Sequence, residues 1–306
     1  MLTTAELPAF STAVLGSTSV CELPILKRSF HDLTLKVEGT GPNGATLDVR
    51  HVIESVELFQ SGKSKSLIRP NQFMRYQEFL NATSDTFPLN ALFLPLARPG
   101  VRGTDWATGD MESFQIFVKL KAALYNVSGQ SAAAFTRLTG NMTYEPLPAP
   151  ANRGDVYLHQ TISQPAPSAG WNTIDNLTVN NLAALSRLFF MCQAPGTDTT
   201  DFRAAAITQV KIRIGEVDVY NQTKAIVETS LVYNPFYKSA TSSALTMGFP
   251  VMLDRNNRIE DVPRLFDGRS RLPVRVEYYW DTAIAAVAPF DILIEGVEPG
   301  TAPAAK

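Results

Sequence analysis

One strand pattern is written twice in this chain, and it limits the folds open to it more than any other feature. Ile53-Glu54-Ser55-Val56-Glu57-Leu58 runs into a glycine turn at Gly62, and Ile207-Thr208-Gln209-Val210-Lys211-Ile212 runs into Gly215. From 53 to 207, from 56 to 210 and from 58 to 212, the offset is 154 residues each time. Each copy precedes a short segment with helical spacing, an apolar strand ending in arginine, a loop, and a strand with clean alternation. Alternation with period two is the signature of strands that bury one face, so the repeat implies two similar β domains in tandem.

The length agrees. At 306 residues the chain makes about two domains of roughly 150 residues. A half of that size buries about 70% of the surface its unfolded chain would expose, enough for its own core. Hydrophobic residues make up 45% and charged residues 18%, the balance of a packed protein rather than a disordered one. Twenty prolines and 18 glycines are scattered through the chain, as many short strands joined by turns require.

Charge and targeting signals exclude several classes. The net charge is −2, and Lys27 is the first basic residue. Neutralising phosphates needs clustered Lys and Arg, so direct contact with nucleic acid is not expected. No apolar run approaches the length of a membrane-spanning helix, and no charged n-region precedes an apolar stretch, so neither a transmembrane helix nor a signal peptide is expected. Cys21 and Cys192 are the only cysteines; two buried free thiols is the favoured reading over one disulfide. Asn-x-Ser/Thr triplets begin at Asn81, Asn126, Asn141, Asn176 and Asn221, but without a secretory signal they say nothing about glycosylation.

Along the chain, residues 1–22 are polar and small, and Leu33 to Val37 alternates as a half-buried strand. Pro70 to Leu80 places Phe73, Tyr76 and Leu80 at helical spacing behind a first-turn proline. Phe87 to Leu96 is apolar on both sides, and Phe114 to Leu120 resumes period two. Prolines at 146, 148 and 150 favour an extended chain that stays out of central strands. The expected organisation is therefore a first domain over 1–143, a proline-rich linker over 144–154, a second domain over 155–295 and a flexible tail over 296–306. In the second half, Asp155 to Ile162 reads as strand and Thr223 to Tyr233 as a short helix. Leu188 to Cys192 is a buried run of undecided type. Leu245 to Leu253, Val274 to Trp280 and Ile292 to Ile294 read as further strands.

Catalytic chemistry is sparse. His31, His51 and His159 are the only histidines, and His31 and His51 sit among polar residues near strand starts. No nucleophile elbow, phosphate-cradling glycine loop or His-x-x-x-His pair occurs, so no catalytic, cofactor-binding or metal-binding residue is assigned and no enzyme is expected. Asp254 to Asp261 and Asp198 to Asp201 supply closely spaced oxygens. Structural calcium is thus the one cofactor left open, although neither stretch has the EF-hand order or its glycine, and a solvated hairpin loop explains both. Tyr233, Phe236 and Tyr237, or Tyr278 to Trp280, suit core or interface packing better than a sugar platform.

A set of short matches in consistent order points to a family. Leu7-Pro8-x-Phe10, Gly16-Ser17-Thr18-Ser19-x-Cys21-x-Leu23-Pro24, the Ile53 strand with its Gly62 turn, Phe93-x-x-x-x-Arg98-Pro99 and the Phe114 strand together resemble the major capsid proteins of membrane-containing icosahedral bacteriophages, the double jelly-roll lineage that includes corticovirus, tectivirus and adenovirus shells. The likeness covers residues 7–125 by motif and 200–281 by strand order. It implies an all-β fold of two tandem eight-stranded jelly rolls with short helices in loops. It also implies a homotrimer forming a pseudo-hexagonal capsomer, one of many tiling a shell over an internal lipid membrane, with neighbouring trimers, penton and minor capsid proteins as partners. The expected location is the virion, after assembly in the host cytoplasm, and the N-terminal segment and tail would be clamps ordered on assembly. The alternatives are a vertex or spike protein of the same virion and a two-domain carbohydrate-binding adhesin.

Overall fold

The structure is a computed structural model and describes residues 2–24, 28–81, 88–97, 105–108, 111–124, 133–145, 156–179, 182–192, 206–233, 248–254, 262–267 and 270–298. In chain order the elements are β1 (Thr3–Glu6), β2 (Thr18–Glu22), β3 (Ser29–Thr40), α1 (Val49–Val52), β4 (Ile53–Gln60), β5 (Lys63–Ile68), α2 (Pro70–Asn81), β6 (Ala91–Pro95), β7 (Trp106–Ala107), β8 (Phe114–Leu120) and β9 (Ala134–Tyr144). They continue with β10 (Val156–Gln164), β11 (Gly170–Ile174), β12 (Ala184–Cys192), β13 (Ile207–Ile214), β14 (Val217–Thr223), α3 (Lys224–Tyr233), β15 (Gly248–Met252), β16 (Phe266–Asp267), β17 (Ser270–Arg271), β18 (Val274–Trp280) and β19 (Phe290–Glu298).

The chain divides into two compact units, and the division is not a single cut. The first comprises Met1–Pro70, Asp85–Leu158 and Glu298–Lys306; the second comprises Asn71–Ser84 and His159–Val297. Most of α2 therefore belongs to the second unit although it lies deep in the first half of the sequence.

In the first unit one sheet runs β1-β9-β3-β6, with β7 also on β3, and the other runs β2-β8-β4-β5. In the second unit the orders are β10-β19-β12-β15 and β11-β18-β13-β14. If the eight main strands are numbered within each unit, both give 1-8-3-6 facing 2-7-4-5. That is the jelly roll, two interlocked Greek keys, and the fold is the all-β double jelly roll expected.

The duplicated strands are β4 and β13, the fourth strand of each unit, and their correspondence extends to irregularities. Both have buried residues at their first, fourth, sixth and eighth positions. Pairing with the fifth strand slips between Leu58 and Phe59 in one and between Ile212 and Arg213 in the other. Pairing with the seventh slips between Ile53 and Ser55, and between Ile207 and Gln209. Every one of these positions keeps the 154-residue offset, so the bulges, which twist and re-aim a strand, recur with the apolar pattern. The following turns are two-residue hairpins. Ser61 and Gly62 have φ of 48° and 74°, and Gly215 has φ of 57°, the left-handed backbone that lets a two-residue turn match strand twist.

Each core follows from alternation. In the first unit Leu33, Leu35 and Val37 of β3, Val56 and Leu58 of β4, and Ile116 and Val118 of β8 are at most 1% exposed. Trp106 is fully buried, and its indole Nε1 donates to the Tyr157 carbonyl at 3.0 Å. In the second unit Phe190, Tyr278, Trp280 and Phe290 form one aromatic cluster with ring centroids 5.3 to 6.4 Å apart. Burying each such side chain stabilises by about 1.5–3 kcal/mol.

Three stretches gain definition in the fold, and the last of them differs from its expected bounds. Residues 1–22 hold two strands, β1 and β2, too short and polar to show a pattern in sequence. The undecided run at Leu188 lies in β12, a nine-residue strand. The last strand is longer than Ile292 to Ile294: β19 extends through Glu298, with Gly296 and Val297 buried.

Candidate functional site

The second unit has a sheet buried on both sides. On β12 and β19, Phe190, Ile292 and Ile294 face the core, so Phe189, Asp291, Leu293 and Glu295 point to the outer face. That outer face is nearly as dry: Phe189, Leu293 and Glu295 are each 1% exposed and Asp291 7%. Helix α2 covers it. Pro70 opens the helix where no amide donor is needed, and Gln72, Phe73 and Tyr76 share one face at spacings of three and four. The Phe73 ring meets the edge of His159 on β10 at 4.8 Å, and the Tyr76 ring lies 5.7 Å from Phe189. Gln72 Nε2 donates to Asp291 Oδ2, and the Tyr76 hydroxyl donates to Glu295 Oε2.

Beneath the helix lies a buried charge network. Arg187 of β12 donates from Nη2 to Asp254 Oδ2 at 2.7 Å and from Nε to both Asp254 oxygens at 3.1 and 3.0 Å. Its Nη1 lies 3.3 Å from Glu295 Oε1 and donates to the Tyr76 hydroxyl at 3.4 Å. Asp254 is fully buried and Arg187 6% exposed. His159 Nε2 sits 3.8 Å from Glu295 Oε2, but burial pulls its pKa down to about 4 and outweighs the attraction of Glu295. At neutral pH the imidazole is therefore uncharged, and the contact is not an ion pair. Burial, helped by Glu295, also pushes the Tyr76 phenol well above its usual range, so it remains a donor. A guanidinium gripping two carboxylates and a phenol fixes geometry in a way an apolar contact does not, and removing one partner strands the rest in a dry interior. Its chemical role is a clasp that holds α2.

The outer faces elsewhere are wet. On β11, β13 and β18 of the second unit, Trp171 is 47% exposed and Tyr279 37%. Their rings meet edge-on at 5.6 Å, and the Lys211 ammonium lies 4.3 Å from the centre of the Trp171 ring. Arg213 pairs with Asp218 at 2.7 Å, and Arg275 with Glu277 at 3.2 Å. In the first unit, the face corresponding to the one under α2 carries a groove of about 570 Å³. Its floor includes Lys36 and Glu38 of β3 and Arg137 and Asn141 of β9, and its wall is the segment from Glu6 to Ala13. Gly140 lets that wall approach, since a Cβ there would lie 2.5 Å from the Thr34 carbonyl oxygen and 2.7 Å from Leu7 Cδ1.

The residues singled out in sequence scatter. His31 lies 3.5 Å from the exposed Glu145 carboxylate, His51 is in α1, and His159 is in the clasp. Cys21 is a buried free thiol, pushed up to about 11 by burial and by Glu22, and it donates to the Pro8 carbonyl at 3.3 Å. Tyr278 and Trp280 point into the core and Tyr279 outward, as alternation requires, so they form no continuous platform. Asp254 is taken by Arg187, while 255–261, 198–201, Phe236 and Tyr237 lie outside the described residues, as does the side chain of Tyr233. Among the described residues no His, Cys, Asp and Glu group is placed to hold a metal ion. The clasp was missed in sequence because its members come from five separate stretches between 72 and 295, and no local spacing marks them.

No protein-family model matches the chain, and no curated protein matches it. Solved structures do. The major capsid protein of bacteriophage PM2 matches with a TM-score of 0.68 at 12% identity, covering 100% of both chains. The STIV major capsid protein, from Sulfolobus Turreted Icosahedral Virus, matches with a TM-score of 0.68 at 10% identity, over 97% of this chain and 96% of that one. A chain of the PBCV-1 virus capsid matches with a TM-score of 0.64 at 10% identity, over 97% and 93%. These likenesses establish the double jelly-roll fold along the whole length of the chain.

Proposed function

We propose that this chain is the major capsid protein of an icosahedral virus and that its work is structural rather than catalytic. One observation carries the reading: both units have the 1-8-3-6 and 2-7-4-5 strand orders, and the tandem matches capsid proteins end to end. Two near-equivalent sandwiches in one chain let three chains present six similar sides, the requirement for hexagonal tiling. Contacts around a threefold are heterologous and must close into a ring. Obligate contacts within such a trimer bury about 2,000 Å² or more.

An internal membrane beneath the shell, and neighbouring trimers with penton and minor capsid proteins as partners, extend this reading. It places the protein in the virion, assembled in the host cytoplasm, and a net charge of −2 suits a shell separated from its genome by lipid. The domain organisation proposed is a jelly roll on either side of the proline-rich stretch at 144–154. Native mass measurement of the purified chain tests the core of the proposal. A mass of three chains is expected; a monomer at all concentrations, with no copy in the shell of the source virus, overturns it.

A further inference from the structure

We propose that the open edge of β11, in the second unit, is a docking strand for an extended, uncharged segment of another polypeptide, added by strand pairing. The two units treat their second strands differently. In the first, the eleven residues between β1 and β2 run back along the outer edge of β2. The Ser11 amide donates to the Val20 carbonyl at 2.8 Å, and the Ser11 hydroxyl accepts from the Val20 amide at 2.8 Å. Ser19 Oγ and Cys21 Sγ donate to the Thr12 and Pro8 carbonyls at 3.0 and 3.3 Å. In the second unit five residues join β10 to β11. The Asn172 side chain folds them into a turn, accepting from the Ser168 amide at 2.9 Å and donating to the Ser168 carbonyl at 2.7 Å. A connection that short cannot also run back along the strand.

Register identifies the groups left bare. Val20 faces Phe117 and Thr173 faces Glu277, and those two partners stand 160 residues apart. The bonds that close the strands keep the same spacing: Leu23 N to the Phe114 carbonyl and Leu177 N to the Val274 carbonyl, both at 2.8 Å. Thr173 is therefore the counterpart of Val20, with its amide and carbonyl turned away from β18. β11 ends its sheet, and no described residue pairs with those two groups along the outer edge.

Edge strands are normally protected by charge, proline or a bulge, because a bare one is a template for any extended chain. β6 ends in Pro95, β15 contains Pro250, and β14 carries Asp218 beside a bulge. β11 reads Gly-Trp-Asn-Thr-Ile and has none of these, and its register with β18 is unbroken. Strand addition draws affinity from main-chain hydrogen bonds and specificity from side chains alternating along the edge. Trp171 supplies the anchor, 47% exposed and braced by Tyr279 and Lys211, since exposed aromatics of this kind carry much of the energy of a contact. No Asp, Glu, Lys or Arg occurs from Val156 to Ile174, or from Thr282 to Phe290 in the connection that leaves the Trp171 end of β18. A charged segment would find no partner there. The segment that covers β2, Leu7 to Val14, is itself uncharged and shows which chemistry suits such an edge.

The site lies within one unit, so its test does not depend on trimerisation. The probe is a synthetic peptide copying Leu7 to Val14, titrated into the purified full chain. Trp106 and Trp280 are buried, so acrylamide-quenchable emission reports Trp171, and the peptide should shield it saturably. At about ten times its dissociation constant the peptide should slow exchange of the Thr173 amide about tenfold, and a scrambled peptide should do neither. Thr173→Pro removes the outward amide at a position where an edge strand tolerates proline, and should abolish both effects with an unchanged circular dichroism spectrum. Trp171→Thr, the residue found at the counterpart position Thr18, leaves folding intact and should weaken protection of Thr173 about fivefold. Absence of saturable binding overturns the proposal, as does binding that survives Thr173→Pro or that protects β2 instead. A Thr173 amide already protected in the dilute chain alone means that the chain covers its own edge, and overturns it too. Protection that grows with chain concentration and no peptide means copies pairing with each other, and also overturns it. The shell reading stands in every one of these cases.

Discussion

The two sandwiches share strand order, bulges and hairpin positions, yet they treat the same outer face in opposite ways. In the second unit it is dry and holds Arg187, Asp254, Glu295 and His159 beneath a helix. In the first it is wet, and Lys36, Arg137 and Asn141 are exposed along a groove. Topology thus fixes the backbone of a jelly roll without fixing what its outer surface is for. The side chains on the outward positions of the third and eighth strands decide that, and they have diverged while the inward positions kept their apolar character.

The largest expected effect breaks this contrast at its centre. Arg187→Ala leaves Asp254 and Glu295 buried without their cation, and should destabilise the second unit by about 3–5 kcal/mol. Arg137→Ala, an exposed arginine on the corresponding sheet of the first unit, should cost less than about 0.5 kcal/mol. Urea unfolding of both variants checks the pair, and comparable losses would show that the two faces are energetically alike.

Next in size is a pH effect confined to the clasp. The His159 pKa is about 4 in the fold against about 6.5 in an unfolded chain. Between those values the unfolded state binds the extra proton, so stability falls as pH is lowered from about 6.5 towards 4, by about 3 kcal/mol at most. Hydrogen exchange should show α2 and β10 opening first across this window. His159→Gln should flatten the dependence; an unchanged pH profile would mean that carboxylates elsewhere govern acid lability.

Removing one hydroxyl gives a smaller change. Tyr76→Phe keeps the ring against Phe189 but deprives Glu295 of a donor, and should cost about 1–3 kcal/mol in thermal melts. A neutral outcome would mean that Arg187 satisfies Glu295 alone.

How much of this could be read in the sequence depends on range. The strands at Ile53 and Ile207 were legible because alternation and a glycine turn are local, and helix α2 showed through Phe73 and Tyr76 behind Pro70. β1 was not, since Thr3–Glu6 is four polar or small residues whose pairing with β9 lies some 140 positions away. The extension of β19 past Ile294 was hidden by Gly296, which reads as flexible and is in fact required, because a Cβ there would lie 2.5 Å from the Ala184 carbonyl oxygen. The clasp was illegible for a different reason. His159, Arg187 and Glu295 are polar residues scattered on three strands and Asp254 lies just beyond a fourth, and it takes the fold, with α2 arriving from the other half of the sequence, to bury them together.

The smallest expected effect sharpens the comparison at the turns where the repeat ends. Ser61 and Gly215 are equivalent first positions of two-residue hairpins, and both have positive φ. Gly215→Ser puts a side chain into left-handed backbone and towards Leu272, whose Cδ2 lies 3.2 Å from where the new Cβ would sit; it should cost about 1–2 kcal/mol. Ser61→Gly makes the reverse exchange in the first unit. It relieves about 1 kcal/mol of backbone strain, but it removes the hydroxyl that accepts from the Glu112 amide at 3.1 Å and adds freedom to the unfolded chain. Those terms nearly cancel, so the change in melting temperature should be within about 2 °C. A clear stabilisation would mean that the hydroxyl contributes little and that the first unit carries strain the second avoids by using glycine.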